Sequence, residues 1–126
     1  MTTAVIYSSK FGSTRKVAEY IAQKIGAEAI DVKKCNDISN YDRIIIGSGV
    51  YAGKPSKAIR TFVGNNKEKL SAASLFVCCM YNDEKGAKQL ENIANNLGIA
   101  DAIFFDGAKK QIGTEGSKLE EYIKTL

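Results

Sequence analysis

The chain has 126 residues, is 44% apolar and 25% charged, and carries a formal net charge of +4. That length fits one domain, and no apolar run approaches the ~20 residues needed to cross a bilayer. Cys35, Cys78 and Cys79 are odd in number with two adjacent, and histidine is absent, which argues against a disulfide framework or a metal centre.

Reduced thiols in the cytoplasm are therefore expected. Met1-Thr2-Thr3 brings no basic region ahead of its apolar stretch, so no secretory signal is expected either. The basic residues are spread along the chain, a balance that suits an anionic small molecule and not a nucleic acid. Lys54, Lys57 and Arg60 fall at helical spacing, and for Lys57 and Arg60 the plain reading is a solvated helix face.

Taken in order, Thr3 to Tyr7 reads as a strand. Ser13 to Ile25 reads as a helix with Val17, Ala18, Ile21, Ala22 and Ile25 inward and Gly26 as its stop. Glu28 to Val32 alternates in polarity, as an edge strand does. Arg43 to Gly47 contains Ile44-Ile45-Ile46, a run that suits a strand covered on both faces. Pro55, the only proline, is placed to open a helix carrying Ile59, Phe62 and Val63, which Asn65-Asn66 end.

Ser74 to Met80 is again apolar throughout. A helix over Asp83 to Leu97 places Leu90, Ile93, Ala94 and Leu97 on one face, with Gly98 as its cap and Asn82 or Asp83 as its N-cap. Ala102 to Phe105 is a fifth strand, and Thr114 to Lys124 is a last helix burying Leu119, Tyr122 and Ile123. Strands alternating with helices predict an α/β fold, a doubly wound five-stranded parallel sheet with helices on both faces. In the order 2-1-3-4-5, ligands bind between the carboxyl ends of strands one and three.

Two loops meet at that point. The first, Ser8-Ser9-Lys10-Phe11-Gly12-Ser13-Thr14-Arg15, leads from strand one into helix one. Backbone N–H groups in a first helical turn lack intrahelical partners, and the macrodipole adds partial positive charge there, so this loop suits a phosphate. Ser9, Ser13 and Thr14 offer hydroxyls, and Gly12 lets the backbone come close. Lys10 and Arg15 read as solvated charges that raise the local potential.

The second loop, Gly47-Ser48-Gly49-Val50-Tyr51-Ala52-Gly53-Lys54, sets one aromatic among three glycines. It can offer a flat face to a planar ring, or Tyr51 can simply pack over the loop. The third, Cys79-Met80-Tyr81-Asn82-Asp83, lies on the same edge and can read the polar rim of a ring, with Tyr81 over its other face. Cys78 and Cys79 read as small core residues.

These loops resemble those of the flavodoxin family, which binds FMN. Ser9-Lys10-Phe11-Gly12-Ser13-Thr14 matches that family's phosphate loop except at Phe11, which replaces a hydroxyl residue but keeps its backbone N–H. Tyr51 stands where the family places an aromatic on the isoalloxazine ring. Tyr7-Ser8-Ser9, Gly12 with Thr14 to Ala18, Tyr41-Asp42, Ile46-Gly47-Ser48 and Phe104-Phe105 with Gly107-Ala108 are similar to the group that includes menaquinone-dependent protoporphyrinogen oxidase.

The resemblance implies a flavodoxin-like fold and FMN as cofactor. The flavin would be held by Ser9, Lys10, Phe11, Gly12, Ser13, Thr14, Ser48, Gly49, Val50, Tyr51, Ala52, Gly53, Met80, Tyr81 and Asn82. No side chain is implied to be catalytic, and Gly49 would lie near flavin N5. The function implied is electron transfer between redox partners, the alternative being an oxidoreductase acting on a quinone or porphyrin-type molecule.

Two readings compete on the same architecture. A response-regulator receiver needs acidic residues after strand one and an aspartate ending strand three, where this chain has Ser8-Ser9 and Gly47-Ser48-Gly49. The loop of low-molecular-weight tyrosine phosphatases would put its nucleophilic cysteine at Ser9, and serine supplies no low-pKa thiolate. What survives of the second reading is a phosphate-binding module without redox activity.

Overall fold

The computed structural model describes residues 2–9, 12–35, 37–51, 54–70, 72–79 and 83–126. Expectations placed on Lys10, Phe11, Ala52, Gly53, Met80, Tyr81 and Asn82, and on the side chains of Cys79 and Asp83, lie outside that description. Five strands, β1 (Thr3–Tyr7), β2 (Glu28–Asp31), β3 (Arg43–Gly49), β4 (Ser74–Cys79) and β5 (Asp101–Asp106), form one sheet in the order β2-β1-β3-β4-β5. Every pairing is parallel, with Ile6 opposite Ile30 on one side and Ile46 on the other.

Because side chains alternate along a strand, each apolar run feeds two cores. Ala4, Ile6, Ile44, Ile46, Leu75 and Val77 point to the face covered by α2 (Lys57–Asn65) and α3 (Asp83–Leu97), where Ile59, Val63, Ile93 and Leu97 meet them. Val5, Tyr7, Ile45, Phe76, Cys78 and Phe105 point to the other face. They pack against Val17, Ala18 and Ile21 of α1 (Ser13–Ile25) and Leu119 of α5 (Lys118–Lys124). A central strand such as β3 therefore has to be apolar throughout, and β2, at the edge, does not.

The expected elements shift at their ends for local reasons. β2 stops at Asp31 because the Asp31 carboxylate accepts from Lys33 N–H at 2.9 Å, which turns the chain into a 3-10 turn over Val32–Lys34 with Val32 buried. β3 runs on to Gly49, since Gly47, Ser48 and Gly49 pair with Phe76, Val77 and Cys78. Pro55 does not open α2; the helix begins at Lys57, after Ser56, whose Oγ accepts from Ile59 N–H at 3.1 Å.

The last helix begins at Lys118 instead of Thr114, and a short helix that was not expected, α4 (Ala108–Gln111), precedes it. Gly113 and Gly116 both hold positive φ between the two, and Gln111 Oε1 ties them by accepting from Leu119 N–H at 2.9 Å. Among the described residues no helix is long and apolar enough to cross a membrane.

Candidate functional site

At the carboxyl edge β1 ends on Tyr7, and Ser8 N–H donates to the Gly47 carbonyl at 3.1 Å, tying the first loop to β3. Gly12 then takes φ +87°, a left-handed conformation that favours glycine, and becomes the N-cap of α1. Its carbonyl accepts from Lys16 N–H at 3.1 Å, and its own N–H donates to Ser9 Oγ at 3.0 Å. Gly12 has no side chain with which to cap α1, whereas Ser56 and Ser117 cap α2 and α5. Among the described residues the N–H groups of the first turn are thus left for something else, at the positive end of a 13-residue helix.

Thr14 is 3% exposed and Ser13 half-buried, so the two hydroxyl residues sit at different depths around that turn. Arg15 faces outward and pairs with Glu19 at 3.3 Å, as a solvated charge does.

Across the switch point, Ser48 is fully buried. Its Oγ donates to the Gly49 carbonyl at 2.8 Å and accepts from Ser56 N–H at 3.1 Å, linking the end of β3 to the start of α2. This hydroxyl shapes the loop and is spent on it. Tyr51 and Lys54 close a tight turn through reciprocal backbone bonds of 2.8 and 3.0 Å. A Cβ on Gly49 would stand 3.1 Å from the Tyr51 hydroxyl, so the phenol lies over Gly49.

Gly47 belongs to the core instead of the loop: a Cβ there would overlap the Phe76 ring. Both loops open onto one cleft of about 1070 Å³, reached by Ser8 and Ser9 on one side and Tyr51 and Lys54 on the other.

Sequence reasoning missed part of this cleft. Val32 and Lys33 reach it from the 3-10 turn, and Lys57 and Arg60, exposed as expected of a solvated helix face, also line it from α2. One signal was present: no acidic residue occurs between Arg43 and Lys67.

A doubly wound parallel sheet with an open helix N-terminus at its switch point defines a class of proteins that bind phosphorylated ligands. Residues 4–109 match the model of the flavodoxin domain family, and the chain belongs to that family. Membership accords with the expected fold and with FMN as the expected cofactor.

The chain is 31% identical over 80 residues to protoporphyrinogen IX dehydrogenase [quinone] of Escherichia coli K12, covering 57% of this chain and 44% of that protein. It thus spans less than half the length of that relative. A flavoprotein in complex with FMN from Lactobacillus acidophilus superposes with a TM-score of 0.67 at 20% identity, over 90% of this chain and 99% of that one. A mutant flavodoxin from Pseudomonas aeruginosa superposes at 0.63 and 14% identity, over 100% and 99%. At such identities the two structures speak for the fold.

Proposed function

We propose that this chain binds FMN across the switch point and carries electrons between redox partners. One observation carries the reading. The first loop, through Ser8 and Ser9, and the Tyr51–Lys54 turn open onto the same cleft from opposite sides, and left-handed Gly12 starts α1 just beyond the first of them. A phosphate on the first and a planar ring beside the second span the two loops as one molecule would.

Bound there, FMN supplies reversible electron transfer, and the protein supplies binding, orientation and electrostatics. The first-turn N–H groups and the hydroxyls of Ser13 and Thr14 hold the phosphate dianion. Ser9 keeps Gly12 in its left-handed conformation by accepting its N–H, and Lys10 and Phe11 complete the loop. Ser48, Gly49 and Val50 set the height of the second loop, Tyr51 with Ala52 and Gly53 offers its flat face, and Met80, Tyr81 and Asn82 close the third side. No side chain is required to donate or accept the electrons.

A second reading is an FMN-dependent oxidoreductase of the protoporphyrinogen oxidase type, favoured by the 31% identity to the Escherichia coli dehydrogenase. The partner is then a quinone or porphyrin-type molecule instead of a protein. Two well-separated steps in an anaerobic reductive titration support the carrier. Rapid quinone-dependent oxidation of a porphyrinogen supports the enzyme.

The test of the cofactor is direct. Protein expressed with added FMN and then desalted should keep flavin absorbance. Colourless protein that retains inorganic phosphate would overturn the flavin reading in favour of a phosphate module. Thr14→Asp should weaken FMN at least about tenfold through charge repulsion at the helix N-terminus. Since Thr14 is buried, Ser13→Asp repeats the measurement at a half-buried position. Unchanged affinity in both places the phosphate elsewhere.

A further inference from the structure

The cleft has a wall that flavin binding does not use. Lys33 from the 3-10 turn, Lys54 from the second loop, and Lys57 and Arg60 from α2 all line it, and no carboxylate does. All four are exposed, and among the described residues none of them forms an ion pair.

Helix stability does not explain this placement. Lys57 is the first residue of α2 and Arg60 the fourth, at the end where the macrodipole is positive, with no acidic residue in that turn to offset them. α5 also opens on a lysine, Lys118, but there Glu120 and Glu121 stand in the same turn and offset it, with Lys124 last. The cations on α2 stand where they oppose the helix they belong to.

Exposed charges of one sign around an open cleft are poorly built to hold a small anion, because water competes at each of them. They are well built to steer and orient a broad surface of opposite charge, which meets all four at once. Between them Val32, Pro55, Ala58 and Phe62 give an apolar floor for a partner's side chain, in the usual arrangement of apolar centre and polar rim. From this we infer that the face formed by the 3-10 turn and α2 docks an acidic electron-carrier protein beside the Tyr51–Lys54 turn. That the partner is a redox protein rests on the proposed carrier function; that it is acidic rests on the charges alone.

The experiment titrates ¹⁵N-labelled protein, with and without FMN, with a strongly acidic two-iron ferredoxin as probe and a basic cytochrome c as control. Amide shifts should gather at 32–34 and 54–62 with the ferredoxin and be absent with the cytochrome. Affinity should fall about tenfold between about 10 and 100 mM salt as the screening length shrinks. Lys57→Glu/Arg60→Glu should weaken ferredoxin binding about tenfold in the FMN-free protein as well as the FMN-loaded one, and raise thermal stability, since both reversals favour the dipole. A misfolded variant would lose stability instead.

Shifts on another face, binding that ignores the reversal or the salt, or equal binding of cytochrome c would overturn the inference. So would inorganic phosphate producing the same shifts at low millimolar concentration, because the cleft would then be a small-anion site. If FMN is not retained but the ferredoxin shifts persist, the flavin reading falls and the docking face stands.

Discussion

Tyr122 shows how a single side chain couples packing to pH. Its ring meets Phe105 edge-on with centroids 5.6 Å apart, and its hydroxyl is buried with no hydrogen-bond partner among the described residues. Ser74, which faces that hydroxyl, gives its own proton to Asp101 at 2.6 Å. Burial first, and then the Asp101 carboxylate, push the phenol up to about 12 from an ordinary 10.0. The folded protein holds this proton more tightly than the unfolded chain, so the stability associated with it is intact below pH 10 and is lost as pH climbs towards 12. The loss should approach roughly 2 to 3 kcal/mol. Tyr122→Phe keeps the ring contact, removes an unsatisfied hydroxyl and should flatten the fall in unfolding free energy over that range, as followed by urea denaturation at several alkaline pH values. An identical fall in the variant would assign it to other groups.

Elements meet their neighbours through particular small residues. At Gly47, β3 crosses the Phe76 ring of β4 so closely that a Cβ would overlap it, and at Gly86, in α3, Phe104 leaves equally little room. Both rings sit in the two cores that sandwich the sheet. Gly47→Ala should therefore force β3 and β4 apart and destabilise by about 1–3 kcal/mol or more, seen as a lower denaturation midpoint at unchanged slope. A neutral outcome would mean that the sheet relaxes around the methyl group. The three glycines of the second loop look alike in sequence. Only the pairing of β3 with β4 separates Gly47, which makes room for Phe76, from Gly49, which lies under Tyr51.

For the molecule as a whole, α1 starts on a glycine without a side-chain cap at the carboxyl edge of the sheet, where the proposed phosphate would sit. Saturation with FMN at about 100 times its dissociation constant should add ~2.7 kcal/mol to unfolding, while riboflavin, which lacks the phosphate, should add much less. Equal stabilisation by both would detach the phosphate from the α1 N-terminus. Strand order, edge and centre were legible in the sequence, because periodicity and burial obey one short-range rule: strands alternate, and a strand covered on both faces cannot be polar. Element ends were less legible, since they depend on single hydrogen bonds such as Asp31 to Lys33 or on paired left-handed glycines such as Gly113 and Gly116. The sequence by itself therefore determined the α/β order and where α1 begins after the first loop. Tertiary structure alone decided that Ser48 spends its hydroxyl inside the fold, and that Lys33 joins Lys57 and Arg60 around one cleft. Both depend on β1, β3 and the 3-10 turn coming together from distant parts of the chain, and no local pattern records that.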